Sequence, residues 1–392
     1  MSKVIDQNPV SSPELVEQVK LQRLTRSTII LFGQSGVGKT TIMTGAAKGS
    51  FDQVLLSNFA GKGPVEATGL GLPEWRYKVT KPDGGVDMVG SAGDKKILEM
   101  IFSQPEGIPT VDRVGESLVY WVLDEWGNWD PQVRAAFHGV LSPPDGGHRY
   151  LGSHIIGPNV VCAIATNRRC DGAAVGRYSI PECRRGSLMT LVPDPGNWWR
   201  WADSNPEYAA TFVPTFIAYG NSVGATPDHK NHFLGDPEAF DPLVPNAQPS
   251  PRAWEEVMKV LAHKRAGHCS EQTARSNIQG WVGDKASNAL HAFLSVITDR
   301  PAFEAMKQDP TGFKVPDRVD QQFMLASGAM LYATQGVADL GTALHRGTFD
   351  WVFDGMSRLT PEVAAYGLTT ADRRGIKVSE RRPDLWADLV GR

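Results

Sequence analysis

The sequence predicts an α/β protein: a parallel sheet with helices on both faces, followed by a helical region. Three observations carry that expectation. Short apolar, β-branched runs alternate with helix-compatible segments from Thr28 to about Val192, as in successive βα units. Gly33-Gln34-Ser35-Gly36-Val37-Gly38-Lys39-Thr40-Thr41 fits the phosphate-loop pattern G-x-x-x-x-G-K-[ST], and it lies between one such run and a helix-compatible segment. After Pro193-Asp194-Pro195-Gly196 the strand signal stops and helical patterns take over.

Taken in order, residues 1–26 read as a polar lead-in with a short helix. Ser12 is placed to cap it, with Pro13 at the first helical position. Strands are expected over 27–32, 53–57, 118–123, 160–166 and 187–192, with a helix over 41–48. Two inserts interrupt the alternation. Residues 74–79 and 86–89 flank the turn Pro82-Asp83-Gly84-Gly85, which predicts a hairpin. A second hairpin is expected over 148–156, centred on Gly152-Ser153. Residues 219–251, rich in Pro, Gly and Asn, read as a long loop. Helices resume over 253–266 and 286–297. Pro301, Pro310 and Pro316 punctuate a linker, and a last helical block runs from Asp320 to about Leu389. The expected organisation is a lead-in (1–26), a nucleotide-binding α/β core (27–195), a helical lid (196–300) and a C-terminal helical region (301–392).

Composition narrows the function classes. The chain has 392 residues and a net charge of −3, so no global basic field advertises nucleic acid or an anionic membrane as partner. The cysteines Cys162, Cys170, Cys183 and Cys269 contain no C-x-x-C pair, which argues against a disulfide framework or a zinc knuckle. His229 with His232, and His263 with His268-Cys269, lack a matching second pair for a metal. The first residues lack the apolar core of a signal peptide, and no apolar run approaches the ~20 residues of a membrane span. A reducing cytoplasm is the expected setting. The tryptophans around Trp121 and Trp199 read as core, since Arg200 alone supplies a cation among Trp198, Trp199 and Trp201.

The chemistry concentrates at strand ends. In the phosphate loop the glycines let backbone N–H groups turn toward phosphate oxygens, Lys39 brings positive charge, and Thr40 offers a hydroxyl to Mg²⁺. The apolar run Val119–Leu123 ends in Asp124-Glu125. Asp124 is placed to hold Mg²⁺ and Glu125 to act as general base on water. The strand over 160–166 ends in Asn167, a neutral amide able to orient water or touch the γ-phosphate. Arg184-Arg185 precede the next strand, where an arginine can reach a neighbouring copy's phosphate. Ser250-Pro251-Arg252 reads as a helix start that carries Arg252 in its first turn.

This order of motifs resembles the AAA+ ATPases and, more narrowly, their MoxR-like branch. Ala67-Thr68-Gly69-Leu70, the insert at 74–89 and the hairpin at 148–156 fit that branch. The resemblance implies that Asn167 is the sensor-1 residue, Arg185 the arginine finger and Arg252 the sensor-2 arginine. It also implies ATP and Mg²⁺ as cofactors and a homo-oligomeric, hexameric ring with ATP at its interfaces. The role it implies is a remodelling chaperone or assembly factor acting on a protein client, with a von Willebrand A domain protein as a typical partner. The chain departs from the pattern at Cys183-Arg184-Arg185-Gly186, where the family has a Leu-x-Arg-Phe type run, so Arg184 stays beside Arg185 as a candidate. From about Pro301 onward it carries no readable motif. A nucleic-acid motor on the same core is the alternative, because Lys62, Arg76, Lys78 and Lys81 lie in or near the first hairpin.

Overall fold

Apolar strands that alternate with helices build the expected sheet. The structure is a computed structural model describing residues 8–69, 71–80, 86–89, 95–103, 107–142, 147–168, 170, 175–236, 246–295, 300–334, 349–373 and 376–389. It divides into two units, Met1–Pro193 and Asp194–Arg392.

In the first unit six strands form one sheet: β1 (Pro9–Val10), β2 (Thr28–Gly33), β3 (Gln53–Ser57), β7 (Val119–Leu123), β10 (Val160–Asn167) and β11 (Gly186–Leu191). Their order across the sheet is β1-β11-β2-β10-β7-β3, with every pair parallel. β7 and β10 are buried along their whole length, which explains their unbroken apolar sequence. After β2 the chain moves through α2 (Lys39–Ala47) to the far edge at β3, whereas after β10 it crosses β2 to β11. The two paths diverge between β2 and β10, and this switch point opens a crevice at the carboxyl ends of the strands. The register pairs Asn167 with Gly33 and Leu123 with Ile164. The tips of β2, β10 and β7 therefore share one rim.

Both hairpins form. β4 (Gly71–Thr80) pairs antiparallel with β5 (Val86–Val89), although the turn at 82–85 lies outside the described residues. A third strand, β6 (Lys95–Phe102), adds to β4; its charged opening Lys95-Lys96 hid it from the sequence reading. β8 (Arg149–Leu151) and β9 (His154–Ile156) make the second hairpin. α1 spans Ser12–Thr25, but its cap is Ser11 rather than Ser12. Ser11 and Glu14 form a reciprocal capping box, which fixes the start one residue earlier than Pro13 alone suggests.

Between the acidic tip of β7 and α5 (Pro131–Leu141), Trp126 and Trp129 pack with Phe59 and Phe137. Ring centroids are 4.8 Å apart for Trp126–Trp129 and 5.0 Å for Phe59–Trp129. These bulky residues are core, as expected.

The second unit is helical. Its principal helices are Pro195–Asp203, Val213–Gly220, Pro251–Arg265, Glu271–Ser295 (broken at Gly283), Val319–Thr334 and Pro361–Arg373. One apolar core runs from Trp199 to Val378, so residues on both sides of position 300 share it. The described parts of 221–236 and 246–250 carry no helix or strand. The expected linker is corrected in its first part: Arg300–Gln308 is a helix with Pro301 in its first turn and Met306 fully buried, whereas residues 309–318, which hold Pro310 and Pro316, carry no helix or strand. Among the described residues no helix is long and apolar enough to cross a membrane.

Candidate active site

The phosphate loop leaves β2 at Gly33 and enters α2 at Lys39. Gly36 (φ 76°) and Gly38 (φ 91°) adopt left-handed backbone, which the motif's glycines permit without strain. Gly38 offers no side-chain cap, so the first N–H groups of α2 remain available to an anion. Lys39 is buried, and its Nζ donates to the carbonyls of Gly33 (2.9 Å) and Gln34 (2.8 Å) and to Asn167 Oδ1 (2.8 Å). The ammonium thus lies inside the loop, where phosphate oxygens would compete for it.

Thr40 Oγ1 donates to Asp124 Oδ1 at 2.9 Å. Asp124 is anchored on both sides of its backbone: its N–H donates to the Ser57 carbonyl (2.9 Å), and its own carbonyl accepts from Trp129 Nε1 (2.9 Å). Asp124 Oδ1 also accepts the Glu125 N–H at 3.0 Å. Two hard oxygen donors, one of them a carboxylate, converge here. That set fits Mg²⁺, which commonly takes one or two protein oxygens and completes its shell with water and phosphate. Among the described residues no group of three or more His, Cys, Asp or Glu makes a rival metal centre.

Glu125 has a left-handed backbone (φ 55°, ψ 29°), unusual for a residue with a side chain. Such a conformation costs on the order of 1–3 kcal/mol and persists only when its surroundings enforce it. The short 3₁₀ turn Trp126–Asn128 and the indole bond of Trp129 do so here. The elbow brings Glu125 Oε2 to Asn128 Nδ2 (2.6 Å) and Asn167 Nδ2 (3.4 Å). Asn167 is buried and uses both ends of its amide: the oxygen accepts from Lys39, and the nitrogen faces Glu125. Lys39, Thr40, Asp124, Glu125 and Asn167, expected from sequence, therefore gather in one crevice.

Arg184 and Arg185 stand outside this set of hydrogen bonds. Arg184 is exposed at the end of α6 (Ile180–Cys183). Arg185 is half-buried and turns back, its Nη1 donating to the Pro181 carbonyl at 2.7 Å. Burial holds the His138 imidazole below its ordinary pKa, and the charge of Arg185 adds to the effect, which sets this guanidinium near α5. Arg252 belongs to the second unit. It is exposed in the first turn of the helix Pro251–Arg265, which Ser250 caps through the Ala253 N–H.

A buried polar cluster behind the elbow escaped the sequence reading. Arg134 pairs with Glu182 at 3.0 Å, with only 4% and 5% of their side-chain surfaces exposed. Trp126 Nε1 donates to the same carboxylate oxygen at 3.3 Å. Tyr178 shares a 2.5 Å hydrogen bond with Thr166 and has its pKa pushed up to about 12, chiefly by burial. Half of the cluster had a signal, because Ser179-Ile180-Pro181-Glu182 is a capping box in sequence and in structure. Arg134, 48 positions away from Glu182, had none.

No protein-family model matches this chain, and no curated protein matches it. Among solved structures it is similar to NtrX from Brucella abortus in complex with ADP, with 14% identity and a TM-score of 0.30 over 86% of this chain and 68% of that one. A second NtrX structure from the same organism is similar at 13% identity and a TM-score of 0.30, covering 88% and 69% of the two chains. The same protein in complex with ATP gives 15% identity and a TM-score of 0.30 over 90% and 69%. A TM-score of 0.30 is a partial superposition and carries no weight beside the chain's own geometry. Six parallel strands, a phosphate-loop motif leaving the interior strand β2 and a helical second unit make this an α/β protein with a parallel-sheet core followed by a helical region.

Proposed function

We propose that this chain is an ATP-hydrolysing AAA+ protein of the MoxR-like type, working as a ring-forming remodelling chaperone or assembly factor. One observation carries the hydrolytic part: a single buried amide, Asn167, joins the phosphate-loop lysine to the acid at the elbow. That arrangement supports reading Glu125 as a base acting where a terminal phosphate would meet Lys39.

The residues then divide the work. Lys39 exchanges the carbonyls of Gly33 and Gln34 for phosphate oxygens as ATP enters. Thr40 and Asp124 would hold Mg²⁺, which supplies charge neutralisation to the phosphates. Glu125 takes the proton of the attacking water, and Asn167 keeps that carboxylate aligned with the lysine. Arg185 of each copy serves the neighbouring copy's crevice, and Arg252 senses the nucleotide from the helical unit. The antiparallel insert β4–β6 and the hairpin β8–β9 stand outside the parallel sheet. They are the elements offered to a protein client, including one with a von Willebrand A domain.

The test is Glu125→Gln. ATP affinity should stay within about twofold of wild type while phosphate release falls on the order of 10²–10⁴-fold. Retained turnover would remove Glu125 from the role of base. Stimulation of turnover by DNA, with a steep salt dependence, would favour a nucleic-acid motor instead.

A further inference from the structure

A buried polar chain runs from the crevice to the turn that carries the two arginines. α6 is a four-residue helix whose only buried residue is Glu182. Ile180 is 67% exposed and Pro181 also faces outward, so apolar burial does not hold this helix in place. A carboxylate holds it instead. Glu182 Oε2 accepts the Ser179 N–H at 2.5 Å, and Oε1 accepts from Arg134 Nη1 at 3.0 Å and Trp126 Nε1 at 3.3 Å.

Two routes reach that carboxylate from the crevice. Trp126 directly follows Glu125, and its indole N–H ends on Glu182. Thr166 directly precedes Asn167, accepts the Gly127 N–H at 3.1 Å, and shares a hydrogen bond with Tyr178. The Arg134 guanidinium lies 5.8 Å from the Tyr178 ring centre and donates to the Arg177 carbonyl at 3.0 Å. Movement of the Glu125 elbow or of the Asn167 tip thus loads the same buried ion pair. The helix pinned by that pair hands the chain directly to Arg184 and Arg185.

We propose that the Glu182–Arg134 pair is a positioning device: it fixes the turn bearing Arg184 and Arg185 to the crevice of its own copy, and so sets the aim of the arginine offered to the next copy. This rests on the reading that an arginine acts between copies. Neither Glu182 nor Arg134 touches the reacting atoms. The expected signature is a loss of turnover in a neighbouring crevice, with that neighbour's KM for ATP unchanged.

The experiment uses full-length chains in mixtures. Recipient chains carry Arg184→Ala with Arg185→Ala and keep their own crevice intact. Helper chains carry Lys39→Ala, so they do not turn over ATP but still present both arginines. Helpers should restore turnover to recipients. If they do not, the between-copy reading fails by this separate control, and the present proposal falls with it.

Helpers that also carry Glu182→Gln should restore at least tenfold less, since a misplacement of about 1 Å can cost on the order of 10²-fold. The recipients' KM should stay constant. Restoration equal to that of the plain helper would overturn the proposal. Trp126→Phe covers a folding failure of the first variant, because it removes one indole N–H and keeps the ring packing. Helpers with that change should restore roughly threefold less, and an unchanged level there would be equally fatal. Size measurement of each mixture confirms that helpers and recipients assemble together.

Discussion

Arg134→Met is the sharpest perturbation of the scaffold behind the crevice. It keeps the unbranched stem as far as the position of Nε and removes the only cation paired with Glu182 among the described residues. At 3.0 Å, and with an effective dielectric near 20, the pair's Coulomb attraction is about 5 kcal/mol. Much of that offsets the desolvation of two charges that are almost wholly buried. Deleting one partner leaves the other charge uncompensated, so the expected loss is about 3–5 kcal/mol. Against a typical total of about 5–15 kcal/mol, this is a large fraction.

The partner variant should behave differently. Gln at position 182 keeps one acceptor oxygen, which can still accept from Arg134 Nη1 and Trp126 Nε1 but gives up the Ser179 N–H, and Arg134 keeps the Arg177 carbonyl. Glu182→Gln should therefore cost less, about 1–3 kcal/mol. The double variant should cost at least ~1 kcal/mol less than the sum of the two, because the interaction is lost only once. Scanning calorimetry of the full chain reads this out. The transition that ATP raises belongs to the unit holding the phosphate loop, and the two units must be treated separately. For a unit of this size Arg134→Met should lower that transition by roughly 10 °C. Single costs that add within about 0.5 kcal/mol in the double variant would refute the claim that the pair acts as a unit.

Three further outcomes follow from the same region. Tyr178 keeps its proton to about pH 12 in the folded chain and to about pH 10 unfolded, so the stability it gives is complete below pH 10 and drains away toward pH 12. Tyr178→Phe should flatten that part of the stability–pH curve by up to about 2–3 kcal/mol, while the still more strongly raised Tyr120 leaves a residual slope; an unchanged slope in alkaline urea titrations counts against burial of the phenol. A Cβ at Gly127 would come within 2.2 Å of Val175, 2.6 Å of Tyr178 and 2.8 Å of Thr166. Gly127→Ala should therefore destabilise the first unit by about 1–3 kcal/mol and slow turnover, and a variant with wild-type melting would show that the elbow is looser than its contacts imply. Asp124→Asn should raise the Mg²⁺ concentration giving half-maximal ATP binding by roughly tenfold or more, with little change in metal-free nucleotide binding; an equal loss with and without Mg²⁺ would take the metal role away from Asp124.

How much was legible follows from the range of each interaction. The phosphate loop, Asp124-Glu125 and Asn167 stand at the ends of unbroken apolar runs, and a buried parallel strand advertises both its identity and its polar tip. β1 is two residues long and has no periodicity to read, and β6 opens on two lysines. The linker expectation holds at Pro310 and Pro316 but fails at Pro301, because prolines mark helix starts as readily as breaks: Pro301 sits in a first turn, and the buried Met306 that fixes the helix is a tertiary fact. The left-handed backbone of Glu125 has no local signal at all, since it is imposed by Trp129, Gly127 and the strand tips around it. The same holds for Arg134, whose side chain reads as a solvated helix charge until Glu182 arrives from 48 residues away. Sequence thus exposes the groups that would meet a ligand, because chemistry restricts them to a few residue types at fixed spacing. It hides the groups that hold those in place, because any buried donor and acceptor of matching charge can do that work from anywhere in the chain.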